Sequence, residues 1–131
     1  MGTTGTREAY EFPSDVAPPL GQVRAWLRDQ LRGVGRITVA DTELLTTELV
    51  TNAHEHADGV TELRVSVPTG RDVVRVEVDD HRPQLRPRRV AKQDPASAHG
   101  RGLALVEAIS TQWGVDTGAG YKTVWAEIPV L

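Results

Sequence analysis

Leu63, Val65 and Val67 alternate with Arg64 and Ser66, and beyond Pro68-Thr69-Gly70 the pattern resumes as Val74, Val76 and Val78 alternating with Arg75 and Glu77. This pair of runs constrains the fold more than any other stretch of the chain. A period of two sends successive side chains to opposite faces, so each run is a strand with one apolar and one polar face. The Pro-Thr-Gly turn between them predicts an antiparallel hairpin. Its apolar face needs a cover, and the segments around it read as helices.

Leu20, Val23, Leu27, Leu31 and Val34 recur at spacings of three and four, which predicts a helix over about 18–32. Pro18 and Pro19 suit its start, and Gly33 and Gly35 its end. Trp26 lies off the apolar stripe, as a contact residue or a packed one. A second helix is expected over about 41–57, capped by Thr38 or Asp41, with Leu45, Leu49 and Ala53 as its buried stripe. A short edge strand over 8–12, a helix over 102–110, and a strand pair over 113–116 and 122–128 complete the pattern.

The order is β-α-α-β-β-α-β-β, an α+β class. The expected architecture is a two-layer sandwich, with helices on one face of a mixed or antiparallel sheet. Strict β-α-β alternation is missing, which speaks against a doubly wound dinucleotide fold. Residues 1–7 read as a flexible start and 8–131 as one domain. Residues 81–99 carry Pro83, Pro87 and Pro95 without apolar periodicity, the mark of a functional lid or a disordered loop.

Composition narrows the chemistry. The 131 residues suffice for one domain with one core, and a net charge of -3 argues against a general nucleic-acid binder. With no cysteine, a disulfide scaffold and a thiol nucleophile are excluded. No apolar run approaches the ~20 residues that span a bilayer, and the start lacks a secretory signal. The cytoplasm is the expected location.

Five groups of residues could carry chemistry. Glu48, Asn52 and His56 fall at successive four-residue intervals and line one helical stripe beside the apolar one. An Asn carbonyl suits a hard cation such as Mg²⁺, and a carboxylate one turn away can polarise a hydroxyl; an exposed polar face has the same spacing. His54 and His56 point apart on a helix and lack zinc spacing. Asp79 and Asp80 end the second valine strand, where an acid can accept from an adenine amino group or simply begin a turn. Gly100 and Gly102, with Arg101 between them and Leu103 after, open a helix whose free N–H groups could receive an anion. Arg82, Arg86, Arg88, Arg89 and Lys92 make the long loop basic, fit for phosphates, for an acidic partner or merely for solvent. Lys122-Thr123-Val124-Trp125 places a hydroxyl on the last strand, where Thr is also an ordinary strand former.

The order of these weak signals is more telling than any one of them. Glu-x-x-x-Asn on a helix, a strand ending in Asp, Gly-x-Gly opening a helix and Thr in the last strand resemble the successive boxes of the GHKL ATPases, which have the Bergerat fold. That superfamily takes in gyrase B, Hsp90, histidine kinases and anti-sigma-factor kinases. The stretches ELVTNAHEHA, VRVEVDD, GRGLALVEAI and KTVWAEIP resemble the actinobacterial anti-sigma-factor serine/threonine kinase branch, over about residues 8–129.

That resemblance implies a set of roles. Asn52 would hold Mg²⁺ and Glu48 would act as the base. His56 would lie near the phosphates, and Asp80 would read adenine. Gly100, Arg101, Gly102 and Leu103 would cradle phosphates, and Thr123 would help bind the base. One departure stands out: the family's D-x-G-x-G reads Asp80-His81-Arg82-Pro83-Gln84 here, without either glycine.

The implied function is a switch that binds Mg·ATP, phosphorylates a STAS-type anti-anti-sigma partner and sequesters a sigma factor, with homodimers common in the branch. The alternative is a non-catalytic regulatory module with weak or structural nucleotide binding. A sensor-kinase catalytic domain would need a dimerising helical hairpin, for which this length leaves no room. A DNA-binding regulator fits the acidic charge poorly.

Overall fold

The computed structural model describes residues 7–13, 16–56, 59–81, 98–118 and 120–131, with the side chains of 7, 56 and 98–103 outside that set. Its elements are β1 (Arg7–Glu11), α1 (Leu20–Gln30), α2 (Arg36–His56), β2 (Val60–Ser66), β3 (Val73–Asp80), α3 (Ala98–Ile109), β4 (Gln112–Gly118) and β5 (Tyr121–Pro129). The five strands form one sheet in the order β1-β2-β3-β5-β4. Every neighbouring pair is antiparallel, so of the two expected sheet types the antiparallel one is found.

The predicted hairpin is β2–β3, in which Leu63 faces Val78 and Val65 faces Val76 across the ladder. Gly70 in its turn has φ 79°, a left-handed conformation that side chains with a Cβ disfavour. Arg71 N–H closes that turn onto the Pro68 carbonyl at 3.2 Å. β3 is the central strand, and its inward positions Val74, Val76 and Val78 are all buried. Leu63 and Val65 from β2 and Val124, Ala126 and Ile128 from β5 complete the same face.

The helices cover that face. Val23 and Leu27 from α1, Leu31 just after it, Leu45, Leu49, Val50 and Ala53 from α2, and Val106 from α3 join one core with the strands. Trp26 is a packed residue: its ring meets Tyr10 edge-on at 5.6 Å and rests against the core. α1 ends at Gln30, and Gly33 at φ 89° turns the chain away.

α2 departs most from its expected bounds, starting at Arg36 rather than near Asp41. The extra turn holds β-branched Ile37, Thr38 and Val39, which are poor helix formers by propensity. Tertiary bonds override that preference. Thr38, 1% exposed, donates to the Pro129 carbonyl and accepts from Leu131 N–H, both at 3.2 Å. None of the helices, among the described residues, is long and apolar enough to cross a membrane.

Candidate functional site

Asp80 is the fourth inward position of β3, in line with three buried valines. The register that buries the valines therefore also buries this carboxylate, which is 1% exposed. Directly opposite on β5 stands Lys122, whose Nζ lies 3.2 Å from Asp80 Oδ2. Its inward neighbour on β5 is Val124, so the pair sits where the hydrophobic core gives way to polar groups.

α2 packs on both β3 and α3. Glu48 and Asn52 are half-buried on it, while Leu49 and Ala53 beside them are buried. Glu48 and Asn52 thus lie partly sheltered at the rim of the core, a point their spacing alone left open. His56 is the last residue of α2, and its side chain lies outside the described set.

α3 begins at Ala98, so Gly100 and Gly102 fall within its first turns and do not precede it. The two glycines were expected to open the helix. The observed start moves Gly100 into the first four residues, whose N–H groups lack intrahelical partners, and Gly102 beyond them. No acidic residue occupies the first turn, so the positive end of the helix dipole is not neutralised there. The side chains of Arg101 and Leu103 lie outside the described set, as do residues 82–97, which hold the basic residues of the expected lid.

Thr123 is not on this face. It pairs with Asp79 across β3–β5, and its hydroxyl donates to Asp79 Oδ1 at 2.5 Å. Adjacent strand residues alternate in direction, so Asp79 and Thr123 share the outer face while Asp80 and Lys122 share the inner one. On the outer face Arg64 binds Asp79, Glu77 and Glu62. The hydrogen bonds that Arg64 donates to Asp79, joined by those to Glu77 and Glu62, raise its pKa above the ordinary value against the opposing effect of burial. Arg75 bonds Glu77 and Glu127, and its guanidinium lies 4.3 Å from the Trp125 ring centroid. Its pKa is raised too: burial lowers it, but the bonds to the two glutamates outweigh burial.

Two features escaped sequence reasoning. Lys122 was passed over for its neighbour Thr123; counting strand parity from Val78 and Val124 would have identified Lys122 as the residue facing Asp80. The outer charge lattice was also missed, although Arg64, Arg75, Glu77 and Asp79 occupy the alternate, non-apolar positions of the two strands.

Among the described residues no group of three or more His, Asp or Glu side chains converges to hold a metal ion. The Asn52 carbonyl and Glu48 carboxylate are hard oxygen donors one helical turn apart at the core rim, which suits Mg²⁺. That ion commonly takes one or two protein oxygens and completes its shell with phosphate and water. The donor set fits a magnesium ion that arrives with a nucleotide better than one held by the protein alone.

An open antiparallel sheet with its helices on one face, an acid at the inner end of the central strand and a Glu–Asn pair on the covering helix define the α+β sandwich of the GHKL class. The chain belongs to the histidine kinase-like ATPase domain family, whose model matches residues 12–128. No curated protein matches it by sequence.

Among solved structures it is similar to the RsbU and RsbW domains of Rv1364c from Mycobacterium tuberculosis, at 22% identity and TM-score 0.68 over 95% of this chain and 32% of that one. The histidine kinase domain of the Erythrobacter litoralis EL346 blue-light activated histidine kinase is 25% identical with TM-score 0.55, over 85% of this chain and 59% of that one. The Acinetobacter baumannii histidine kinase AdeS, at 11% identity, has TM-score 0.51. The chain thus spans about a third of the first of these and less than two thirds of the second. What this membership shows is an ATPase-type domain.

Proposed function

We propose that this chain binds Mg·ATP between α2, α3 and the end of β3, and transfers the γ-phosphoryl group to a Ser or Thr of a STAS-type anti-anti-sigma partner. In its other state it sequesters a sigma factor, and it acts as a homodimer in the cytoplasm. The observation that carries the reading is the buried Asp80 ending the valine series of β3, the strand on which the helix carrying Glu48 and Asn52 packs. Lys122 already pairs with this carboxylate, and an adenine amino group is a further kind of donor that a carboxylate can accept from. The likeness to the RsbW-containing structure supports the choice of partners.

In this reading Asn52 would hold Mg²⁺, which would supply charge neutralisation on the phosphates. Glu48 takes the proton of the attacking hydroxyl as the new O–P bond forms and the bond to the β-phosphate oxygen breaks, releasing ADP. The start of α3, with Gly100, Arg101, Gly102 and Leu103, lies along the phosphates, and His56 near them. Thr123, on the outer face, acts on the base site only through Asp79, whose strand end it fixes.

A second reading is favoured by Arg82 and Gln84, which stand where the family carries glycines. It is a non-catalytic binding module in which nucleotide is weak or structural. Calorimetric titration with ATP and Mg²⁺, beside Asn52→Ala, separates the two. Magnesium-dependent binding that the variant loses is the result expected from the first. An absence of binding up to millimolar ATP gives the lead to the second.

A further inference from the structure

We infer that Lys122 is a base-reading residue: its ammonium and the Asp80 carboxylate together form a donor–acceptor pair for the edge of adenine. The inference rests on the nucleotide reading above and deepens it at one subsite. Its ground is the register. Asp80 and Lys122 are direct partners across β3–β5, their charged atoms are 3.2 Å apart, and they are 1% and 4% exposed. Thr123, the residue that the resemblance assigns to the base, faces the opposite way and is bonded to Asp79. On β5 the side chain that shares a face with Asp80 is Lys122.

Burying an ammonium and a carboxylate is not the least costly way to fill this place. Replacing a buried ion pair by apolar residues is often neutral or stabilising, and every other inward position of β3 is valine. The pair has a chemical match. Along one edge adenine presents an amino donor beside a ring-nitrogen acceptor. A carboxylate beside an ammonium presents an acceptor beside a donor. The amino group would donate to a carboxylate oxygen of Asp80, and Lys122 would donate an N–H bond to the ring nitrogen, roles that a two-oxygen acceptor and a three-donor ammonium can play beside their own contact. Guanine reverses the order of donor and acceptor on that edge, so the same pair would select against it.

The test compares binding of ATP with 1-deaza-ATP, in which a C–H replaces the ring nitrogen, each with Mg²⁺, to the whole chain and to Lys122→Met. The unmodified protein is expected to bind 1-deaza-ATP about tenfold more weakly or worse, the scale of a lost hydrogen bond to a charged donor. Lys122→Met is expected to bind the two equally. A lysine with only a structural role lowers both affinities together in the variant and leaves their ratio unchanged, and that result overturns the inference. Equal binding of both nucleotides by the unmodified protein also overturns it while leaving the ATP site intact. No binding of either overturns the nucleotide reading and this inference with it. Should Lys122→Met lack a native circular dichroism spectrum, Lys122→Arg keeps the charge and moves the donor. It must then change the ratio, and an unchanged ratio counts against the assignment.

Discussion

Arg64 grips Asp79 with both guanidinium arms, NH1 to Oδ2 at 2.6 Å and NH2 to Oδ1 at 2.8 Å. Bidentate geometry of this kind is among the stronger charge-assisted contacts, and here it ties β2 to the functional end of β3. The same guanidinium reaches Glu77 at 2.8 Å and Glu62 at 2.7 Å, so one cation balances three acids.

Replacing Arg64 by Met should therefore leave three acids without their common cation on a face where the arginine side chain is only 15% exposed. The expected loss is about 1–3 kcal/mol, read as a lower urea midpoint with an unchanged slope. Asp79→Asn in the Arg64→Met background should recover part of it, because it removes one of the like charges.

Glu127 gives the outer face a pH dependence. Burial pushes its pKa up, but the bonds and charges of Arg71 and Arg75 prevail and hold it below the ordinary glutamate value. A depressed folded pKa means that the unfolded chain takes up its proton first as pH falls. The stabilisation is thus complete above the ordinary glutamate range near pH 4.3 and drains as pH drops through the lower folded value. Urea midpoints measured from pH 7 down to 3 should fall more steeply for the unmodified protein than for Glu127→Gln. Parallel curves would remove Glu127 from the acid response.

Gly114 on β4 lies under the Trp125 ring, and a Cβ added there would come within 2.8 Å of its Cζ2. Gly114→Ala must displace an indole that also carries the Arg75 guanidinium, at a cost of roughly 1–3 kcal/mol. Tryptophan near-UV circular dichroism should change with it. An unaltered spectrum and midpoint would mean that the ring has room to slide.

Much of the fold could be read from the chain because its strands are amphipathic. The valines of β3 announce their period directly, and the stripe on α1 fixes which face is inside. α2 was harder: its first turn is made by Thr38 bonding to Pro129 and Leu131, partners from the far end of the chain. Local propensity cannot see them. The candidate site was visible in the chain only as residue types in a telling order; Glu48 and Asn52 prove half-buried on α2, which their spacing alone did not decide. At β5 strand parity counted from Val124 puts Lys122 on the inner face, but that it stands opposite Asp80, with Thr123 opposite Asp79, is set by a register that emerges only when β3 and β5 pair.

For the chemistry, Glu48→Ala should abolish phosphoryl transfer while magnesium-dependent ATP binding changes by less than about threefold, since a general base acts in the transition state and not in holding nucleotide. Single-turnover assays with radiolabelled ATP and candidate partners would measure this. Transfer at an undiminished rate would assign the proton to another group.

Two adjacent aspartates end the central strand, and nothing but odd or even position separates their fates. Asp79 belongs to the outer lattice with Arg64, and Asp80 belongs to the interior with Lys122. One residue inserted in β3 after Val78 would exchange them, sending the lattice acid inward and the interior acid out, with scarcely a change in composition. Among homologues of this chain, length in that strand should consequently be more tightly restricted than identity at most of its positions. A gap or insertion there is a better warning of altered function than a substitution.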